Sequence, residues 1–353
     1  MTFYQELQLN QAGSKAVIKN AESSKEKLHH TCIYMCKIAI TMIFCMCFVM
    51  LSGTVFGNDN SIVGVVVLLF LMVFKNADFG ICMKHSLEVI GVVFFVLAFG
   101  PQAANSVGAF GGMLINIGCI LLLAVLSCHN VMMSNHSTVI LGYLLLYGYT
   151  VSGSAFVLRI AGLFVGAVLT MIVFYRGHRN RVYKRTLTHI LEEFDIRSSR
   201  TKWQIAMALG TASIMFLVEV LHFPRSMWAG IAVMSVLLPF EEDAKARSKG
   251  RIPGNLLGGI LFLLLYAVLS SDFLSYAGII GGIGVGLSAS YGWQSVFNSF
   301  GAMAVATGLF GLEGAVFLRI FHNVCGSLYG QVFYRFVQRI LSRFAVKEKR
   351  AAV

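Results

Sequence analysis

A chain of 353 residues with 57% hydrophobic and only 12% charged side chains, and a mean hydropathy of +0.75, has too few polar residues to cover a soluble globule of its size. Lys and Arg outnumber Asp and Glu by 28 to 16, giving a net charge of +12 that in a soluble protein would suggest nucleic-acid binding. Here the composition defines a polytopic all-α membrane protein, and the positions of the cations make a nucleic-acid partner unnecessary.

The first thirty residues mix Glu6, Glu22 and Glu26 with Lys15, Lys19, Lys25 and Lys27 and hold no apolar h-region. No cleavable signal peptide is expected, and residues 1–30 read as a cytosolic segment. Apolar windows follow at about 32–52, 61–74, 84–99, 103–127, 137–150 and 153–175, then a basic linker at 177–200. A second series lies at about 203–222, 226–240, 252–269, 273–291, 294–311 and 313–334, before a basic tail at 336–353. Twelve spans result, although the windows at 61–74, 137–150 and 226–240 are shorter than the roughly 20 residues of a straight span, so ten remain an alternative. "EEDAKARSKGR" at 241–251 reads as a solvated loop, and the Gly-rich 278–290 as a site of close helix packing.

The cations test this topology. Of the 28, 24 fall at the N-terminus, at Lys75 and Lys84, between Arg176 and Lys202, in the 241–251 loop or from Arg335 to Arg350, all on one side of a twelve-span chain. Both termini are therefore expected in the cytosol. Arg225 alone falls outside, and Lys37, Arg159 and Arg319 lie within spans. The last two mark a repeat: "AFVLRIAGLFVGAVLTMIVFYR" at 155–176 and "AVFLRIFHNVCGSLYGQVFYR" at 315–335 share Leu-Arg-Ile, a glycine six residues after the Ile, and Phe-Tyr-Arg. Two six-span halves, 31–176 and 201–335, would then be parallel repeats, like a fused dimer; the chain could be a monomer or a homo-oligomer.

The stretch "KWQIAMALGTASIMFLVEVLHFPRSMWAGIAVMSVLLPF", followed by "RSKGRIPGNLLGG", resembles the FUSC, or fusaric-acid-resistance, family of integral membrane transporters. The resemblance rests on Pro224 to Trp228 at the outer start of a span, on the spacing of Arg251, Gly254 and Gly258, and on an arginine in the last span. Residues 30–176 share it only through the repeat, with no Trp at the equivalent of Trp228 and Glu88 where Gly254 would align. Familiar bacterial members carry a large cytosolic domain where this chain has about 25 residues from Arg176 to Arg200. The resemblance implies export of aromatic or other organic acids across a bacterial cytoplasmic membrane by proton-driven transport, with plant malate channels as distant relatives. No enzyme activity and no cofactor are expected.

The residues favour anions on their own terms. Arg159 and Arg319 each lie at a similar depth inside an outside-to-inside span, and a planar guanidinium suits a carboxylate. His322 and Asn323 share the face of Arg319 and widen the candidate site. Glu219 is a candidate counter-ion or proton carrier. An exporter, a passive anion channel and a structural role all fit the arginines at this stage. Lys37 and Glu88 read as solvated helix ends, Phe223 and Trp228 as interface anchors. The eight cysteines read as small core residues, and neither His29, His30, Cys32 and Cys36 nor Cys128, His129 and His136 has zinc spacing. No HExxH, GxSxG or GxxxxGK[ST] string occurs.

Overall fold

The computed structural model describes every residue except Met1, Asn10, Ser270, Ser271, Ala289, Ala352 and Val353, and every such side chain except those of Glu241, Gln338 and residues 340–351. Among the described residues there is no strand. The helices are α1 (Phe3–Gln8), α2 (Gln11–Lys19), α3 (Ser24–Phe56), α4 (Ser61–Phe74), α5 (Met83–Asn105), α6 (Ala109–Ser127), α7 (Asn135–Gly148) and α8 (Gly153–His178). They continue with α9 (Leu187–Glu192), α10 (Ser199–Val220), α11 (Ser226–Val236), α12 (Glu241–Leu269), α13 (Asp272–Leu287), α14 (Tyr291–Phe297) and α15 (Phe300–Ala351). Gly311, with φ of 73°, breaks α15 into two rods, a conformation open to a residue without a Cβ.

Seven helical stretches among the described residues are long and apolar enough to cross a bilayer, and α4, α11 and α13 are shorter apolar helices. This establishes a multi-pass, all-α membrane protein. Sequence expectations change at the 241–251 segment and at the cysteines. The loop at 241–251 is the first part of α12, because Ala, Lys, Arg and Glu are strong helix formers and Pro253 is accommodated inside the helix. Cys32, Cys36 and Cys47 lie on exposed faces of α3, and only Cys128 of the eight cysteines is buried. In lipid an outward apolar face carries no penalty, so a small apolar residue need not be a core residue.

The chain forms two compact units. The first contains residues 1–48 and 253–316. Within it, Gln11 Nε2 and Tyr34 Oη both donate to the Gly286 carbonyl, at 2.6 Å, and Lys15 Nζ donates to Ser288 O at 2.7 Å, satisfying carbonyls left over at the C-terminal end of α13. Lys37 Nζ donates to Leu9 O and to Ser14 Oγ, so it is engaged by protein rather than solvated at a helix end. A Cβ at Gly254 would meet Gly292 O at 2.6 Å and one at Gly258 would meet Val296 O at 2.6 Å, so these two glycines let α12 and α14 touch backbone to backbone. Gly281 and Gly284 of the Gly-rich run likewise pack against Phe297.

The second unit contains residues 49–252 and 317–353. At one end of its helices, Asn60 Nδ2 at the start of α4 donates to Ala155 O at the start of α8, and Asn105 Nδ2 at the end of α5 donates to Tyr147 O at the end of α7. At the other end, Asn135 Nδ2 at the start of α7 donates to Asp78 O just after α4, and His178 at the end of α8 contacts Asn76 O. The 14-residue helices α4 and α7 therefore reach between the same two ends as the longer α5 and α8.

Candidate functional site

The second rod of α15 approaches α11 closely because Gly326 and Gly330 face it. A Cβ at Gly326 would stand 2.6 Å from Ala229 O and 2.7 Å from Ala232 Cβ. This approach sets Trp228 of α11 beneath Arg319, whose guanidinium lies 5.2 Å from the ring centroid. The His322 ring meets the same indole edge-on at 6.1 Å. Trp228 is 2% exposed. It is thus a buried platform for a cation rather than the expected interface anchor, because α11 is packed on its sides by α7, α10 and α15. The Phe223 ring lies 4.9 Å from that of Phe321, tilted at 34°.

One turn along α15, Asn323 Nδ2 donates to Arg319 O at 2.7 Å, which fixes its amide so that Oδ1 accepts from an Arg251 guanidinium nitrogen at 2.7 Å. Arg251, Arg319, His322 and Asn323 are all buried. His322 Nδ1 donates to Leu318 O at 2.6 Å, leaving Nε2 buried without a partner, and Ser327 Oγ is likewise buried and unpartnered one turn further on. Unmet polar atoms in an apolar helix bundle carry a desolvation penalty unless something visits them. Sequence reasoning placed Arg251 among the family-like positions without linking it to Asn323. The two are 72 residues apart, and no helical periodicity relates them.

Around Arg159 a glycine again meets the neighbouring helix at the same sequence spacing, but against side chains, where an added Cβ at Gly166 would meet Val67 and Phe94, and without the same polar partners. Ser61 and Ser226 open α4 and α11; Val67 and Ala232 each lie six residues on, and these two meet Gly166 and Gly326, each seven residues after its arginine. In this register Gly162 stands for His322, Leu163 for Asn323 and Val63 for Trp228. Arg159 is 3% exposed; its Nε donates to Asn60 Oδ1 at 3.1 Å, one Nη lies 3.5 Å from Leu146 O, and the other has no partner.

Glu219 Oε1 accepts from Tyr147 Oη at 2.5 Å and from Ser226 Oγ at 2.8 Å, beside the start of α11. Pro224 is exposed in a turn flanked by His222 and Arg225, both at positive φ of 57° and 65°. Arg225 donates to Gly148 O at 2.9 Å and lies 4.7 Å over the Tyr149 ring. This strained turn sets the entry of α11. Glu88 stays half-exposed, 3.9 Å from His85.

Outside the spans, the linker is tied down by Asp78, which pairs with Arg181 and accepts from Tyr183 at 2.8 Å. Glu193 pairs with Arg185 at 2.9 Å and Arg200 at 3.1 Å, with His129 at 3.5 Å. Partial burial works against the charged Glu193, but the Arg200 hydrogen bond and the cations outweigh it and hold the carboxyl below its ordinary range. Burial and the neighbouring arginines push His129 below the usual imidazole value against the pull of Glu193. Among the described residues no group of three or more His, Cys, Asp or Glu side chains could hold a metal ion.

In this multi-pass bundle cations are buried against aromatic and amide partners. Residues 211–341 match the family described as fusaric acid resistance protein-like, which bears out the resemblance in the second half, where the polar cluster lies. No curated protein and no solved structure matches the chain.

Proposed function

We propose that the protein exports organic anions, aromatic carboxylates among them, across a bacterial cytoplasmic membrane by proton-coupled secondary transport. The observation that carries this reading is the buried Arg251–Asn323 contact at 2.7 Å beside the unpartnered His322 Nε2, with Arg319 on Trp228. Ionisable side chains at membrane depth mark substrate routes by default. In this reading the carboxylate takes guanidinium donors from Arg319, and His322 and Asn323 orient it. Arg159, with its spare Nη, is the equivalent station of the first half. Glu219 carries the coupling proton, released from Tyr147 and Ser226 when the carboxylate is protonated. The helices form two parallel six-span repeats, twelve spans in all, with both termini in the cytosol and the 177–200 linker on the same side.

Reconstitution into proteoliposomes tests it. A proton gradient should drive uptake of a carboxylate against its own gradient, and Arg319→Gln should abolish it while insertion stays normal. Currents that reverse at the anion equilibrium potential, without proton dependence, would instead assign a passive channel. No flux of any member of an aromatic and aliphatic carboxylate panel would refute both.

A further inference from the structure

A cavity of about 850 Å³ opens between the beginnings of α10 and α12, the end of α11 and the 330–339 stretch of α15. All its described lining residues belong to the second compact unit. Trp203, Val236 and Gly330 form a buried floor, and the Trp203 indole nitrogen is already committed to Leu237 O at 2.9 Å, so the ring presents a fixed apolar surface. The rim carries Lys245 and Lys249 from α12 and Arg335 and Arg339 from α15, with the hydroxyls of Ser199, Ser248 and Tyr334 between them. No Asp or Glu is among the described lining residues; Glu242 and Asp243 lie earlier on α12, outside the cavity.

Four cations and three hydroxyls come from three different helices. A carboxylate offers two oxygens in one plane, whereas a phosphate offers acceptors around a tetrahedron and accepts from several sides at once. Beside the cavity, α15 shows an outward apolar row spaced four residues apart, Leu328, Val332 and Phe336, exposed by 51%, 67% and 57%. The row ends next to Arg335 in sequence. Apolar chains lying along it would bring a headgroup to the cavity mouth, and basic pockets between membrane helices are suited to anionic lipid headgroups.

We propose that this cavity binds the phosphate of an anionic phospholipid, whose chains lie along Leu328, Val332 and Phe336. The site is independent of the anion-export reading: it needs no transport and uses none of Arg159, Arg319, His322 or Asn323.

The test uses the full chain, purified in detergent and stripped of lipid, and follows thermal unfolding by tryptophan fluorescence. Mixed micelles containing phosphatidylglycerol or cardiolipin should raise the midpoint above that in phosphatidylcholine alone. Lys249→Gln with Arg335→Gln should weaken anionic-lipid binding about thirty-fold, at roughly 1 kcal/mol for each cation removed. Native mass spectrometry of the wild type should show anionic lipid retained over phosphatidylcholine, a readout that stands if the double variant does not fold. A midpoint shift from inorganic phosphate equal to that from lipid, at matched ionic strength, would overturn the lipid assignment and support a soluble phosphate ligand. Equal retention of both lipids, an unchanged lipid response in the double variant, or an equal response to benzoate would overturn the proposal.

Discussion

Substituting Gly326 by Ala isolates the helix contact on which the polar cluster depends. The new Cβ would stand 2.7 Å from Ala232 Cβ and 2.6 Å from Ala229 O, and neither of these is the end of a flexible side chain. Carbon atoms prefer about 3.5–4.0 Å, so α11 and α15 must separate by about 0.8 Å or more. Such overpacking costs about 1–3 kcal/mol, and the gain in helix propensity from Gly to Ala returns about 1 kcal/mol, leaving a net loss of about 0–2 kcal/mol. Gly118, in the middle of α6, supplies the control, because nothing lies within 4 Å of its added Cβ. There the same substitution should stabilise by about 0.5–1 kcal/mol. Thermal unfolding in one detergent should therefore place Gly118→Ala above the wild type and Gly326→Ala below it. Because the separation also lifts Trp228 from Arg319, Gly326→Ala should lose part of its Trp228 fluorescence signature. A Gly326→Ala protein at least as stable as Gly118→Ala would refute the close-packing argument.

Four further outcomes follow from the same contacts. A double-mutant cycle of Arg251→Gln and Asn323→Leu should give a coupling of about 0.6–1.7 kcal/mol by thermal unfolding, the range of interhelical hydrogen bonds in membrane proteins; purely additive effects would remove that bond from the account. Arg159→Gln should reduce transport without abolishing it, since Gly162, Leu163 and Val63 stand where Arg319 has His322, Asn323 and Trp228, and equal loss in Arg159→Gln and Arg319→Gln in the flux assay would make the halves functionally symmetric. Limited proteolysis of the linker between Arg185 and Arg200 should accelerate on acidification. Glu193 has a folded pKa below its unfolded one, so its stabilisation is present above about pH 4.3 and is lost as pH falls through the folded value. His129 is also depressed and adds a destabilising step below about pH 6.5, so unchanged cleavage from neutral to acid pH would contradict the ion-pair latch. Reporter tags at either terminus or near Arg179 should be inaccessible from outside intact cells, and outside labelling would overturn the orientation.

Span-sized apolar windows and the Leu-Arg-Ile repeat were legible because lipid immersion writes them into local composition and spacing. The equivalence of the Gly166–Val67 and Gly326–Ala232 contacts follows that repeat. What could not be read was which residues meet across the bundle. Arg251 reaches Asn323 through helix packing, and hydrophobic periodicity is silent on a bond between helices 72 residues apart. Trp228 looked like an interface anchor because a Trp near a span terminus usually is one; its burial depends on the 11-residue α11 being enclosed by longer neighbours. The 241–251 segment misled through its charge: polarity argued for a loop where backbone propensity gave helix.

The outward face of α3 sets a different kind of constraint on the chain. Ile40, Ile43, Phe44, Met50, Leu51 and Val55 are all more than half exposed. A side chain facing fluid lipid has no fixed neighbour to fit, so selection at these positions can act on oiliness and hardly at all on shape. Random exchange among Leu, Ile, Val, Met and Phe along this face should therefore be nearly neutral, whereas the same exchange at Ala229 or Ala232 should be purged. A saturation library scored for insertion would show α3 as a broad plateau beside a narrow trough at the α11 alanines, and the map of that contrast would trace the boundary between bilayer and protein.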